Sequence, residues 1–144
     1  MNQITKTILL ALNLVCSANA SAAEWEKITT SDDSTHYVDR EGVVRKGSHV
    51  RSWTKVTFDG PQTYKGGQSN GTKYGSMLQY ADIDCDTREM YIVSALYYVG
   101  ADGEGKVAVA ERPTPGEQPN FSPIVPGSVG EVWMKYVCNP KTGK

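Results

Sequence analysis

Histidine and cysteine are scarce in this sequence, two and three residues in 144, and their scarcity narrows function before any motif is read. The two histidines, His36 and His49, stand in no nucleophile elbow, zinc motif or haem-attachment sequence. A histidine-dependent triad would have to be assembled from serines without a motif around them, so the chain is read as not an enzyme, with no cofactor and no metal. An excess of one charge is missing too. Fifteen Lys plus Arg against 16 Asp plus Glu leave a net charge of −1, which supplies no field to draw the molecule to nucleic acid. Nor is there a run of about 20 apolar residues, the length a membrane-spanning helix needs, so no transmembrane anchor is expected.

What is present begins with a leader. Lys6 gives a small positive region, Ile8 to Cys16 an apolar stretch, and Ala18-Asn19-Ala20 or Ser21-Ala22-Ala23 a small-residue cleavage site. Residues 1–23 therefore read as a secretory signal peptide cleaved after Ala20 or Ala23, leaving one domain over residues 24–144. Val15 immediately before Cys16 argues against lipidation, and Cys16 leaves with the signal. Loss of Lys6 takes the net charge from −1 to −2. Cys85 and Cys138 then remain in a chain exported to an oxidising compartment, and they are expected to pair. Closing a loop of about fifty residues stabilises the native state by roughly 4 kcal/mol in the chain-entropy model. The alternative, a zinc site, lacks the closely spaced second ligands such sites show.

Strands come first along the mature chain. Trp25 to Ile28 and Thr35 to Asp39 flank the turn-forming Ser31-Asp32-Asp33-Ser34 and read as a hairpin. After a connection over Arg40 to Gly47, Ser48 to Phe58 alternates strictly. Val50, Ser52, Thr54, Val56 and Phe58 share an inward face; Arg51, Trp53, Lys55 and Thr57 share a wet one. Asp59 to Gly75 holds five glycines and is read as a long flexible loop. Tyr74 to Cys85 and Thr87 to Val99 are two longer strands, the second apolar at both alternating positions, as a strand covered on both sides would be. One cover is a helix; the other is a partner subunit, as in a homodimer, or a half-solvated aromatic face. Lys106 to Ala110 is a short last strand, and Arg112 to Pro126, with five prolines, an extended surface connection. In PGSVGEVWMKYVC, Ser128 and Glu131 make a capping box, and Val129, Val132, Trp133, Tyr136 and Val137 form an apolar stripe. The fold class is α+β: an antiparallel sheet of about five to six strands with one C-terminal helix packed on it and tied by the disulfide.

Three groups of residues are candidates for chemistry or contact. Asp82, Asp84 and Asp86 recur at period two and share one side of a strand, but the calcium-loop template fails because its glycine falls on Thr87 and its glutamate on Val93. They are read as a solvated face. Arg51, Trp53 and Lys55 offer a cation, an aromatic plate and a second cation in a row, a surface for an acidic protein segment or a sulfated glycan. Tyr64, Lys65, Lys73 and Tyr74, in or beside the glycine-rich loop, give a second contact surface.

Taken in order, Trp25 after the leader, HYVDREGVVRKG at His36 to Gly47, VRSW ending at Trp53, IDCDTRE around Cys85 and PGSVGEVWMKYVC resemble the surface-adhesin protein E family of Gram-negative bacteria. The resemblance spans nearly the whole mature chain. It implies an antiparallel sheet with a C-terminal helix tied back by a disulfide, and adhesion to host extracellular-matrix proteins. The expected function is thus an exported protein-binding module at the cell surface or in the periplasm; the alternative is an envelope structural or accessory module without host contact.

Overall fold

The alternation in Ser48–Phe58 builds the central strand of the sheet, and everything else is placed relative to it. The computed structural model describes residues 23–142. The expected signal peptide, with cleavage after Ala20 or Ala23, lies outside the described residues except for Ala23. Eight strands, β1 (Trp25–Thr30), β2 (Ser34–Asp39), β3 (Val44–Lys46), β4 (His49–Thr63), β5 (Lys73–Asp84), β6 (Glu89–Tyr98), β7 (Val107–Glu111) and β8 (Ser122–Pro123), precede one helix, α1 (Val129–Val137). All pairings are antiparallel. Six strands follow one path, β1-β2-β4-β5-β6-β7, while β3 pairs with the start of β4 and β8 with the start of β6. These two short strands fall where the sequence read only connections, Arg40–Gly47 and Arg112–Pro126. Three and two residues are too few to show a period. Among the described residues no helix is long and apolar enough to cross a membrane.

Two further differences have local causes. The glycine-rich stretch is shorter than expected as a loop, because β4 runs on past a bulge and pairs Gln62 with Tyr74 and Thr63 with Lys73. The sixth strand carries a bulge at Val93, since Ile92 faces Ala81 while Ser94 already faces Tyr80. One extra residue inverts the side-chain parity. Even positions before the bulge, Met90 and Ile92, and odd ones after it, Ala95 and Tyr97, share the helix side. The other face keeps Tyr91, Leu96 and Tyr98, all half-buried, with Phe121 packed beside Tyr91.

The core lies between the sheet and α1. Val38, Val43, Val50, Ala81, Ile83 and Ile124 meet Trp133, Met134 and Val137 of the helix. The inward residues of β4 are buried as the alternation requires, with Phe58 half-buried. Ser52 and Thr54 are the polar exceptions, and the Ser52 hydroxyl accepts the Trp133 indole N–H at 2.8 Å. The helix is turned from its expected stripe: Met134 is buried while Val132 and Tyr136 are half-buried. Met134 is one turn before Cys138, and the Cys85–Cys138 disulfide draws that meridian onto the sheet.

Nine residues are too few for a helix to persist alone, and α1 is fixed at both ends. Ser128 caps the Glu131 N–H at 3.2 Å. The Glu131 carboxylate accepts from the Gly127 N–H at 2.9 Å, from Arg88 at 2.7 Å and from Lys135 at 3.3 Å. At the other end the Arg45 guanidinium donates to the carbonyls of Val137, Asn139 and Thr142, placing a cation on the negative end of the helix. Gly42 lets β3 leave β2 tightly, since a Cβ there would come within 2.4 Å of Asp39 Oδ2.

Three outcomes are expected. Cys85→Ser and Cys138→Ser should lower denaturant-unfolding stability by similar amounts, and the double variant by no more than either, since each removes the same bridge; additive losses would contradict the pairing. Trp133→Ala should cost about 3 to 5 kcal/mol, and Ser52→Ala about 1 to 3 kcal/mol by leaving the indole N–H unpaired. The Gly127 amide, then Lys135 and Arg88, hold the Glu131 carboxyl below its ordinary 4.5. Its stabilisation is complete above that value and is lost as pH falls through the lower folded one. Glu131→Gln should therefore flatten the acid side of a plot of Tm against pH.

Candidate functional site

Because the helix takes one face of the sheet, the other face is where side chains of β4 can meet a partner. Arg51 and Trp53 are there. Arg51 keeps a half-exposed side chain, and its Nε donates to Asp82 Oδ2 at 2.8 Å. That hydrogen bond and the carboxylate charge raise its already high pKa, so the guanidinium stays charged with its terminal nitrogens turned to solvent. Trp53 stacks on Tyr80 across the strands, with centroids 5.0 Å apart.

Lys55 corrects the sequence reading. It shares the outer face but its side chain is only 8% exposed, and Nζ pairs with Asp102 Oδ1 at 2.5 Å. The ammonium sits over Trp25 and Tyr37, 4.9 and 5.0 Å from the ring centroids. Two aromatic plates and a carboxylate from a distant turn occupy it, and no free cation remains for a partner.

In its place the structure brings other residues to Arg51. A pocket of about 430 Å³ is lined by Val44, Lys46, His49, Arg51, Asp82 and Phe121. The β3–β4 turn, with Gly47 at φ 63°, sets Lys46 opposite His49 and Val44 opposite Arg51. Asp82 holds the floor: its side chain is 8% exposed and it also accepts from His49 Nδ1 at 2.8 Å. Phe121 meets the His49 ring edge-on at 5.6 Å and lies 5.9 Å from Tyr91. Two cations, an imidazole and an apolar wall thus converge over one neutralised carboxylate. Such a surface is chemically suited to anionic groups.

The acidic row is not one solvated face. Asp82 is buried beneath its two partners, and only Asp86 is exposed. Asp84 caps the turn that follows β5, accepting from Asp86 N at 3.0 Å. Desolvation raises its pKa, but the Asp86, Ser48 and Thr87 hydrogen bonds outweigh it and leave the pKa below the ordinary value. Among the described residues no group of three or more His, Cys, Asp or Glu is arranged to hold a metal.

The second predicted surface lies at the other end of β4. Tyr64 donates to Glu111 at 2.6 Å and packs edge-on against Tyr97, which also meets Tyr74; Tyr74 in turn meets Phe58. Burial first, then the Glu111 charge, raises the Tyr97 pKa. Lys73 donates to Thr63, and Lys65 is exposed. The structure does not bring this cluster to Arg51. Lys46 and His49 carried a readable signal, the Gly47-Ser48 turn between two strand-forming pairs. Phe121, in a proline-rich segment without period, carried none.

A family model described as surface-adhesin protein E matches residues 25–139. The fold is similar to the structure of Haemophilus influenzae protein E, with a TM-score of 0.54 at 15% identity over 79% of this chain and 83% of that one. It is likewise similar to the crystal structure of protein E from non-typeable Haemophilus influenzae, with a TM-score of 0.52 at 16% identity over 78% and 74% of the two chains. At such identity the likeness is one of fold. Comparison with curated proteins finds no match. The family match takes in every strand from Trp25 and the whole of the helix, and the chain belongs to the surface-adhesin protein E family.

Proposed function

We propose that this chain is an exported, non-catalytic binding module displayed on the outer surface of the cell. It adheres to acidic segments of host extracellular-matrix proteins through the outer sheet face around Lys46, His49, Arg51 and Phe121. The observation that carries the reading is the pocket at the β3–β4 turn. Asp82 anchors Arg51 and His49 from below; His49 Nε2 also lies 3.8 Å from Asp84 Oδ2, so it is the exposed Arg51 side chain and Lys46 that are left to meet a partner. Trp53 on Tyr80 extends the surface along β4 with a rigid aromatic plate of the kind enriched at interface centres. Family membership supports adhesion as the class of function. The loop-tip surface of Tyr64, Lys65, Lys73 and Tyr74 joins as a lesser contact, because the Tyr64 hydroxyl and the Lys73 ammonium are already engaged.

The first experiment is protease shaving of intact cells with a periplasmic marker as control. Loss of the protein while the marker survives is expected; protection of both would overturn surface display in favour of an envelope accessory role. Binding to immobilised vitronectin and laminin then tests the site. Lys46→Glu with Arg51→Gln should weaken the bound partner by about tenfold or more, roughly 1.4 kcal/mol per decade, mostly through a slower, less salt-sensitive association. Lys65→Glu should change it less than about threefold, less than half a decade on the same scale. Equal losses from both variants would contradict the assignment.

A further inference from the structure

Asp39 closes β2 and is buried, 9% exposed. Gly42 packs against one side of its carboxylate, so close that a Cβ there would lie 2.4 Å from Oδ2. Among the described residues none of the ion pairs includes Asp39. A carboxylate taken out of water without a cation is costly, because it loses its hydration and gains no opposite charge in return. What meets it instead is the backbone of the first residues of the domain: Glu24 N–H donates to Asp39 Oδ1 at 3.1 Å.

That nitrogen is held in place. The Arg40 N–H donates to the Glu24 carbonyl at 2.9 Å, and the register of β1 on β2 sets Trp25 opposite Asp39. In the sequence Glu24 directly follows Ser21-Ala22-Ala23, one of the two small-residue cleavage sites. Ala23 and Glu24, on either side of the bond, are exposed and precede the strand. Cutting between them turns the Glu24 amide nitrogen, with one proton and no charge, into an α-ammonium with three protons and a full positive charge. Cutting after Ala20 leaves the ammonium on Ser21, three residues and about 10 Å of extended chain further off.

We propose that the leader is removed between Ala23 and Glu24 and that the α-ammonium released on Glu24 forms an ion pair with the buried Asp39 carboxylate. The cut presupposes that residues 1–23 are a leader, part of the reading of the chain as an exported module. Water gives its oxygen to the Ala23 carbonyl carbon, the C–N bond breaks, and both water protons end on the Glu24 nitrogen, leaving a carboxylate on the leader. Hydrogen bonds from a charged donor are shorter and stronger than neutral ones, so the contact to Asp39 tightens in the mature chain. With the leader attached, Asp39 has no counter-charge and the start of β1 is tied less firmly. β1 lies at the edge of the sheet, with Trp25 under the Lys55 ammonium and Glu26 accepting the Tyr136 hydroxyl of α1 at 2.6 Å. Pairing at Glu24 therefore secures contacts to the outer face and to the helix together, and the fold is completed by processing.

The first measurement is the intact mass and N-terminal sequence of the protein exported by its own leader. A chain beginning at Glu24 is expected. Ser21 as the first residue would overturn the cut and leave export standing, whereas a retained leader would overturn both. The second measurement compares the melting of chains beginning at Glu24 and at Ser21, each with and without Asp39→Asn. The Glu24 chain should melt about 3 °C or more above the Ser21 chain, and Asp39→Asn should remove the difference. Should Asp39→Asn fail to fold, the α-amine of the Glu24 chain is acetylated in denaturant at about pH 6.5, where lysines stay protonated, and the chain is refolded. Acetylation deletes the charge and keeps an N–H, and it should bring Tm down to that of the Ser21 chain. Equal melting of the two chains, a difference that survives Asp39→Asn, or acetylation without effect would each overturn the ion pair.

Discussion

A helix of nine residues has to be held from outside, and the way α1 is held organises the rest of the molecule. Its partners come from separate places in the chain: Arg45 from β3, Ser52 from β4, Cys85 from the end of β5 and Arg88 from the turn before β6. Each contact is modest alone, a cap or a hydrogen bond of about 1 kcal/mol. The disulfide adds a constraint on the unfolded chain that no surface pairing supplies. Because these tethers lie on neighbouring strands, docking the helix also locks β3 to β4 and fixes the β5–β6 turn. The sheet thereby acquires one dry face and one wet one.

That division explains why neighbours of equal parity behave differently. Arg51 and Lys55 are both basic, both on the outer face of β4 and only two pairs apart. Arg51 is held by a carboxylate on the adjacent strand and keeps its far nitrogens in water; Lys55 is roofed by Asp102, Trp25 and Tyr37 from three other segments. Period-two alternation assigns a residue to a face, but exposure depends on what folds over that face. The covering turn here lies 47 positions away in the chain, beyond any local pattern.

The parts legible in the sequence are those governed by short-range rules. The Ser128–Glu131 cap, the strict alternation of β4, the first hairpin and the pairing of Cys85 with Cys138 follow from capping chemistry, side-chain period and redox compartment. Glu131 reaches the Gly127 amide rather than that of Ser128, so even the cap differs in its last hydrogen bond. What was not legible depends on register. The bulge at Val93 changes which residues of β6 face the helix, and β3 and β8 are short enough that only their pairing identifies them. At the outer site, Arg51 and Trp53 were legible because they alternate on a long strand, whereas Phe121 arrives from a segment with no period.

The two faces also differ in the cost of burying charge. Around Arg51 the proposed anionic partner meets no competing charge from the buried Asp82, which is paired with Arg51 and hydrogen-bonded to His49. Between the helix and the sheet no charged side chain lines the space, so an ion entering it would lose its hydration without compensation. The proposed outer contact is therefore one that salt weakens, whereas the space between helix and sheet has no charge for salt to screen. Both properties follow from one short helix: packed where the disulfide and Arg45 hold its C-terminal end, it stops short of Thr54 and Val56 at the other.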